Sequence, residues 1–450
     1  MKKTYVLDTN ILIQSPAACT CFEDNDVVLP LAVLEELDGL KRAEGDRGYS
    51  AREAIRRLEE FRLTGDLLTG VSLPGGGTLR VEGGDGGEQP APGDERILQV
   101  CLACRDRGLP VVLVTKDIVL RIKAEVLGVG AQDFTTEQVS RTQARYTGRT
   151  ECFVPEERFK EFKKHGLPRE AAYCLDGEDR PEPAELTENE FVVLRADQST
   201  KKTHLGRVEG ERIVPLTFQK SRPYGVAPRS AGQYFLQEAL MQPAERAPLV
   251  IVKGIAGTAK TFYSLAVGLE KVLNHPSGEY RRILVTRPNA QFDAEIGFLP
   301  GDEQEKISPL MRPVVDNLEQ LLDSDEGERY RDELQLHDRI EEIFQRGIIR
   351  TEAMNFIRGR SFVNTYLIVD EAQNLTPKQI KGIVTRAGTG TKIVLLGDPE
   401  QIDSSFLDER TNGLSWAAAR MKGSPLCWQL TMDPGECERS ELAMAAAARL

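Results

Sequence analysis

The sequence predicts an α/β protein in which two domains built on parallel sheets flank a small β-rich connector. Short apolar stretches alternate with amphipathic helical patterns towards both ends of the chain, and polar residues follow the apolar stretches. This alternation is typical of a parallel sheet covered by helices. The chain has 450 residues, too many for one core at roughly 150 residues per domain. We place the domains at 1–140, 141–230 and 231–450.

The first domain begins with a short apolar strand and continues in strand and helix alternation. Strands are predicted at 4–7, 27–30, 79–81 and 111–115. The strand at 79–81 lies inside a Gly/Pro-rich stretch, 73–93, which predicts a loop or hairpin. Leucines at helical spacing predict a helix over 31–41, and a second helix is predicted over 51–63. Asp94 stands at the N-cap position of a third helix.

The connector is predicted to be β-rich, whereas the alternation of strands and helices returns in the last domain. Strands are predicted at 191–194 and 212–216 in the connector, and at 249–252, 283–286, 367–369 and 393–396 in the last domain. In parallel sheets of this kind, ligands bind beyond the carboxyl ends of the strands. Polar residues at the strand ends of the last domain are therefore candidate site residues.

Composition excludes several classes of protein. No apolar run reaches about 18 residues, so no transmembrane helix is expected. The first apolar stretch ends at Asp8, which is too early for a signal peptide. We expect a cytoplasmic protein without a membrane partner, whose eight cysteines stay reduced and mostly buried.

The net charge of −12 excludes broad electrostatic attraction to nucleic acid. The segments 1–140 and 231–450 each carry −7, whereas 141–230 carries +2. A nucleic-acid contact must therefore be local. Candidate contacts in the connector are the basic residues Lys201, Lys202, His204, Lys220 and Arg222.

A glycine-rich loop between an apolar strand and an apolar helix predicts an ATP site. Its residues are Gly254, Ile255, Ala256, Gly257, Thr258, Ala259, Lys260 and Thr261. Backbone N–H groups of such a loop and the helix N-terminus face the phosphates, while Lys260 reaches the β- and γ-phosphate oxygens and Thr261 holds Mg²⁺. Ala259 replaces a glycine that would tolerate positive φ. Either the methyl group costs ATP affinity or the loop accommodates it.

Two further strand ends complete this predicted site. The strand at 367–369 delivers Asp370 and Glu371. Asp370 suits the Mg²⁺ shell and Glu371 suits polarisation of the attacking water. Gln401, after the next strand, is a candidate sensor of the γ-phosphate.

The order of these motifs resembles the PhoH-like ATPases, relatives of superfamily I helicases, over about 225–450. The resemblance rests on the phosphate loop, 370–374 (DEAQN) and 397–403 (GDPEQID), with 286–288 (TRP), 297–302 (GFLPGD) and 356–360 (FIRGR) in support. It implies a RecA-like P-loop NTPase core that forms a homo-oligomeric ring, as in a hexamer. It also implies that Gln233 recognises adenine, that Arg386 or Arg439 is an arginine finger, and that Arg287 and Arg358 contact nucleic acid.

Four acids of the first domain also stand at strand ends or early helix positions: Asp8, Glu36, Asp94 and Asp117. Such positions converge at one edge of a parallel sheet. Clustered carboxylates repel one another unless a cation neutralises them. Oxygen ligands suit Mg²⁺, with Mn²⁺ as the alternative, and such ions activate water on a phosphodiester.

The surroundings of these acids resemble PIN nucleases over about 1–140. The matching segments are 6–12 (VLDTNIL), 34–41 (LEELDGLK) and 114–117 (VTKD). The resemblance implies RNA cleavage by the clustered acids. Glu95 competes with Asp94 and Glu35 with Glu36, although Glu36 precedes a leucine as the acid of the family does. Asn10 and Thr115 are expected to support the acids, and Asp38 to lie near the metal edge.

The whole chain resembles PIN–PhoH fusion proteins. The resemblance implies ATP-dependent unwinding or translocation of RNA coupled to metal-dependent cleavage, with single-stranded DNA as another candidate substrate. The alternative is an ATP-binding regulatory or assembly module whose toxin-like RNase domain acts without unwinding.

Overall fold

The computed structural model describes residues 2–22, 24–43, 45–83, 92–134, 146–175, 180–197, 199–274, 278–288, 303–323, 333–352, 357, 360–403 and 407–437. The described residues up to 134 belong to one compact unit, and those from 146 onwards belong to a second. The second unit contains two sheets, one in the connector and one in the last domain. The division into three domains stays a prediction.

The first unit is built on a six-stranded sheet in the order β3-β4-β2-β1-β5-β6. Its strands are β1 Thr4–Leu7, β2 Asp26–Pro30, β3 Val71–Ser72, β4 Thr78–Glu82, β5 Val111–Val114 and β6 Gly130–Gln132. Only the β3–β4 hairpin is antiparallel, and β4 then adds in parallel to β2. The strand predicted at 79–81 thus lies within β4, and the start of the Gly/Pro-rich stretch forms the turn of a hairpin whose first strand, β3, ends just before it.

Helices cover the sheet of the first unit. They are α1 Thr9–Gln14, α2 Leu31–Leu40, α3 Gly45–Arg62, α4 Gly93–Asp106 and α5 Ile118–Val126. The prediction that Asp94 caps α4 is wrong, because Pro92 is the N-cap and its carbonyl oxygen accepts the N–H groups of Glu95 and Arg96. Proline has a fixed φ that suits the entry to a helix, and Asp94 therefore falls within the first turn. The helix predicted from 51 begins at Gly45.

The connector forms a seven-stranded sheet in the order β10-β9-β7-β11-β12-β13-β8. Its strands are β7 Arg149–Val154, β8 Leu167–Pro168, β9 Tyr173–Leu175, β10 Pro181–Pro183, β11 Phe191–Ala196, β12 Ser199–Glu209 and β13 Arg212–Pro215. One helix, α6 Phe159–His165, packs on it. The strand predicted at 191–194 lies within β11, and the one predicted at 212–216 covers β13 and one further residue, so the expectation of a β-rich segment is confirmed.

The last domain is built on a parallel sheet in the order β16-β15-β17-β18-β14-β19. Its strands are β14 Leu249–Lys253, β15 Arg282–Thr286, β16 Ile349–Thr351, β17 Thr365–Val369, β18 Lys392–Gly397 and β19 Cys427–Thr431. All five strand pairings are parallel. The carboxyl ends of the strands therefore meet at one edge, as the sequence predicted.

Helices of the last domain cover both faces of this sheet. They are α7 Ala231–Met241, α8 Lys260–Leu269, α9 Glu303–Asp323, α10 Glu333–Gln345, α11 Pro377–Val384 and α12 Gly413–Arg420. One core lies between the sheet and α7 to α10, and a second lies between the sheet and α11 and α12. Alternate residues of the central strands face the two cores, which explains why these strands read as continuous apolar runs.

Two further features concern the state of the cysteines and the apolar character of the helices. The eight cysteines are free thiols, five of them buried and three partly buried. Among the described residues, no helix combines the length and the apolar character needed to cross a bilayer.

Candidate active sites

The glycine-rich loop lies where the sequence predicted it, between β14 and α8. β14 is buried along its whole length between β18 and β19, so the loop emerges at the carboxyl edge of the sheet. Gly254 and Gly257 have φ values of +156° and +87°, a region that favours glycine. The loop leads directly into the first turn of α8, whose unpaired N–H groups and dipole suit a phosphate.

Ala259 adopts the left-handed conformation for which a glycine was expected. Its φ and ψ are +59° and +24°, and it is the N-cap of α8. This conformation costs an L-residue on the order of 1–2 kcal/mol. Ala259 packs against the apolar core beneath the loop. This packing favours the second of the two expectations, accommodation of the methyl group.

Lys260 bends back over the loop that precedes it. Its Nζ donates to the carbonyl oxygens of Gly254 and Ile255 at 2.5 and 2.9 Å, and it lies 3.5 Å from Thr258 Oγ1. These carbonyl oxygens are acceptors that an anionic phosphate would replace as a stronger partner. The ammonium group is thus already held within the loop where phosphate oxygens are expected.

The predicted magnesium ligands come together. Thr261 Oγ1 donates to Asp370 Oδ1 at 3.2 Å, although the two residues lie on α8 and after β17. Asp370 is buried, and burial raises its pKa, with the adjacent Glu371 raising it further. A buried carboxylate of raised pKa beside a hydroxyl is stabilised by a hard divalent cation.

Glu371 stands beside Asp370 and is held by two groups. Its φ is +52°. Arg287 Nη2 donates to Glu371 Oε1 at 2.8 Å, and Gln373 Nε2 donates to Glu371 Oε2 at 2.6 Å. The candidate water-polarising carboxylate is therefore oriented by neighbours on both of its oxygens.

Gln373 connects Glu371 to the end of β18. Its Nε2 also donates to the carbonyl oxygen of Gln401 at 2.8 Å, and its Oε1 accepts Asp398 N–H at 3.1 Å. A Cβ at Gly397 would lie 2.2 Å from Gln373 Oε1, so this contact requires glycine. Gln401 lies in the network through its backbone, while the residue is exposed, and its role as γ-phosphate sensor stays a prediction.

Gln233 lies against the phosphate-loop helix. It is buried in the first turn of α7, and its Oε1 accepts Arg229 N–H at 2.8 Å and the hydroxyl of Tyr263, on α8, at 3.3 Å. The structure thus brings Gln233 to the helix that begins with Lys260. Adenine recognition by Gln233 stays a prediction.

The arginines predicted as arginine finger or nucleic-acid contacts do not lie together at the phosphate loop. Arg386 lies in the turn before β18, at the amino edge of the sheet and hence opposite the phosphate loop of its own chain. Arg287 pairs with Glu371. Arg439 and Arg358 lie outside the described residues, as do the whole of the segment 297–302 and most of 356–360.

Three buried oxygen atoms at the carboxyl edge have no hydrogen-bond partner among the described residues. They are Thr286 Oγ1, at the end of β15, Asp398 Oδ2, after β18, and Thr431 Oγ1, at the end of β19. Buried polar atoms in folded proteins are almost always paired with protein or water. With the Thr261–Asp370 pair, these oxygens fit a site that binds a hydrated cation and polar ligand atoms.

In the first unit, Asp8 is the most buried of the four predicted acids. It caps α1, and its Oδ1 accepts Thr9 N–H at 2.6 Å. Its Oδ2 accepts Asn10 Nδ2 and Thr115 Oγ1, both at 2.5 Å. Asn10 and Thr115 thus support Asp8, in the way expected from the sequence.

Burial raises the pKa of Asp8 to about 6. Hydrogen bonds from Thr115 and from Thr9 N–H act in the opposite direction, and the charges of Glu36 and Asp94 raise the pKa further. Three of the four acids therefore interact electrostatically. The site favours either a proton or a cation beside Asp8.

Glu35 and Glu36 face different partners. Glu36 Oε2 accepts Thr9 Oγ1 at 2.6 Å, next to Asp8. Glu35 is exposed and pairs with Arg96, whose hydrogen bonds hold the pKa of Glu35 below its ordinary value. The geometry thus turns Glu36 towards Asp8 and Glu35 away from it.

Asp117 is linked to Asp8 through Thr115 and caps α5. Its Oδ1 accepts the N–H groups of Val119 and Leu120, and its own N–H donates to Thr115 Oγ1 at 3.0 Å. Within the described ranges, no group of three or more acidic, His or Cys side chains is close enough to form a ready metal site. The four-acid metal site stays a prediction, and the observation in its favour is the electrostatic interaction of Asp8 with Glu36 and Asp94.

Some site residues were not assigned roles from the sequence. Thr9 follows Asp8 and holds Glu36, and Gln373 belongs to the 370–374 motif but received no role. The adjacency of each to a predicted acid was the available signal. The pairing of Arg287 with Glu371 joins two motifs far apart in sequence, and the parallel order of β15 and β17 was the signal that could have found it.

A parallel sheet with a glycine-rich loop before α8, and with Asp370 against Thr261, defines a P-loop NTPase. Comparison with protein families matches residues 225–449 to the family described as PhoH-like protein. Residues 5–135 match the PIN domain.

Relatives match the chain over nearly its whole length. Protein PhoH2 of Bacillus subtilis (strain 168) is 36% identical over 99% of both chains. Protein PhoH2 of Thermobispora bispora is 33% identical, and that of Mycolicibacterium smegmatis is 32% identical, each over 98% of this chain and 95% of the relative. The chain belongs to the PhoH-like protein family, with a PIN domain at its N-terminal end. It joins a nucleic-acid-related ATPase to a nuclease module.

Proposed function

We propose that the chain hydrolyses ATP to act on RNA and that its PIN domain cleaves RNA with a divalent metal. The observation that supports the ATPase most directly is the hydrogen bond between Thr261 Oγ1 and Asp370 Oδ1, with Glu371 beside it. This arrangement joins a magnesium-type ligand pair to a carboxylate suited to a water molecule.

In the proposed reaction, Lys260 leaves the carbonyl oxygens of its loop and binds the β- and γ-phosphates. Thr261 and Asp370 would hold Mg²⁺, which would supply neutralisation of phosphate charge. Glu371 orients water and accepts its proton. The water oxygen bonds to the γ-phosphorus. The bond between the γ-phosphorus and the β,γ-bridging oxygen breaks, and ADP leaves with that electron pair.

In the PIN domain, we propose that Asp8, Glu36, Asp94 and Asp117 hold Mg²⁺ or Mn²⁺. The raised pKa of Asp8 supports this proposal, because a cation relieves the burial of its charge. When bound, such an ion would supply activation of a water molecule against a phosphodiester. Asn10 and Thr115 orient Asp8 by hydrogen bonds.

The presence of both domains in one chain supports our proposal that the two activities are coupled. A motor that draws RNA past the nuclease raises the local concentration of substrate there. We propose a homo-oligomeric ring in which Arg386 reaches the ATP site of a neighbouring protomer, because it lies at the opposite edge of its own sheet. Arg439 is the other candidate for this role.

Two assays with the full chain test these proposals. The first is ATP turnover with and without single-stranded RNA or single-stranded DNA. The second is cleavage of labelled RNA with Mn²⁺ in the presence and absence of ATP. RNA-stimulated turnover together with ATP-accelerated cleavage of structured RNA is expected. Cleavage that ignores ATP, with assembly that requires nucleotide, would instead support the module whose RNase domain acts without unwinding.

A further inference from the structure

Arg287 makes an ion pair with the carboxylate proposed to activate water. Its Nη2 lies 2.8 Å from Glu371 Oε1, and the two side chains are 25% and 32% exposed. Among the described residues, Glu371 is the hydrogen-bond partner of this guanidinium. A guanidinium has five N–H donors, so a partly exposed one can meet an anionic ligand from solvent.

The order of the strands places Arg287 away from the phosphate loop. Arg287 follows β15, and the sheet runs β15-β17-β18-β14 towards the loop. Three strand spacings amount to about 14 Å. Glu371, at the end of β17, stands between Arg287 and the loop after β14. Arg287 is therefore placed to influence the phosphate loop through Glu371 rather than by direct contact.

Glu371 is restrained on its other oxygen by a buried group. Gln373 is fully buried and holds Glu371 Oε2 at 2.6 Å, while it also binds the backbone of Gln401 and Asp398. This side of the carboxylate is fixed to the end of β18. Arg287 is the more exposed and more easily displaced of the two partners.

We propose that Arg287 is a positioning residue that restrains Glu371 until a nucleic-acid phosphate binds the guanidinium. The inference rests on the proposed function, because Glu371 must be the group that orients water. The ligand chemistry is a phosphodiester backbone, which competes for arginine by charge-assisted hydrogen bonds. Release of Oε1 leaves Glu371 with one free oxygen for water, so ATP turnover rises when nucleic acid is bound.

The test measures ADP release by the full chain against ATP concentration, with no nucleic acid, with a saturating single-stranded RNA 20-mer, and with a DNA 20-mer. For Arg287→Gln we expect basal kcat to rise about threefold to tenfold, with no further stimulation by either strand and with KM for ATP within about twofold of wild type. Arg287→Lys should keep low basal turnover and stimulation, since a single donor replaces the single contact.

Arg281→Gln is the matched control. Arg281 is exposed at the amino end of β15, so this change removes the same charge at the opposite edge of the sheet and should leave all three rates unchanged. Basal kcat of Arg287→Gln at or below wild type, or stimulation of this variant as in wild type, overturns the inference. An Arg287→Lys variant that behaves like Arg287→Gln also overturns it. Wild-type turnover that neither strand stimulates refutes the proposed coupling itself, which separates the two failures.

Discussion

Replacement of Asp8 by Asn tests the acidic site of the first unit. Burial is the main reason that the pKa of Asp8 rises from 3.8 to about 6, with the charges of Glu36 and Asp94 adding to it. Without metal at pH 7.5, the folded protein therefore holds a charge that the unfolded chain carries at lower cost. Asn keeps the size and removes the charge, but its Nδ2 cannot accept the hydrogen bonds that Asn10 and Thr115 donate to Asp8 Oδ2, so the gain falls short of the full charge penalty.

The magnitude follows from the pKa shift. Two pH units correspond to about 3 kcal/mol, which is an upper limit for the gain in the free energy of unfolding. Because the folded pKa of Asp8 lies above its ordinary value, the penalty is absent below about pH 4, grows up to about pH 6 and is complete above it. At about 2–4 °C per kcal/mol, Asp8→Asn should melt several degrees above wild type in EDTA at pH 7.5, and this advantage should shrink at pH 5.

Mn²⁺ should reverse the order of the two melting temperatures, so that wild type melts above Asp8→Asn. A ligand at 100 times its Kd stabilises the folded state by about 2.7 kcal/mol, so Mn²⁺ should raise the melting temperature of wild type and affect Asp8→Asn far less. RNA cleavage should fall sharply while ATPase stays unchanged. Asp106→Asn is the matched control, since Asp106 is an exposed acid of the same unit that pairs with Arg105. Equal Mn²⁺-induced shifts for Asp8→Asn and wild type, with undiminished cleavage, would refute the metal site.

Three further changes probe the two sites. Lys260→Ala should lower RNA-stimulated ATP turnover by at least about 100-fold with the circular dichroism spectrum retained, and wild-type turnover would remove the ATPase assignment. Ala259→Gly should change ATP affinity in titration calorimetry by less than about threefold, because the methyl group packs against the core, whereas a large loss would mean that the loop does not bind phosphate. Glu36→Gln should weaken Mn²⁺ binding and RNA cleavage. Glu35→Gln should leave both intact, because it breaks only an exposed pair with Arg96. Equal losses in the two variants would contradict the choice of Glu36.

The location of both candidate sites at the carboxyl ends of parallel strands could be predicted from the sequence. The ends of such strands converge at one edge of the sheet irrespective of the loop conformations. The meeting of Thr261 with Asp370 and of Asp8 with Thr115 followed from that rule. The start of α4 did not, because the helix begins one residue before Asp94 and its N-cap is Pro92.

Side-chain direction could not be read from the sequence. Glu371 turns towards Arg287 from a left-handed backbone position that no local pattern in an acidic residue indicates. β19 was missed because Gln429 interrupts its apolar run, and only the fold shows that Gln429 is buried with its Nε2 bonded to the carbonyl oxygen of Ala418.

Phe191 joins the connector sheet to the core of the last domain. It lies on β11 of the connector sheet, yet its ring stacks on Phe235 at 4.7 Å and meets Trp428 at 6.0 Å within the core of the last domain. Recombination that exchanged the connector alone would replace one side of that aromatic cluster and leave the other unmatched. The connector and the ATPase core therefore share one packed aromatic cluster, and substitutions at these three positions should covary among relatives that contain both segments.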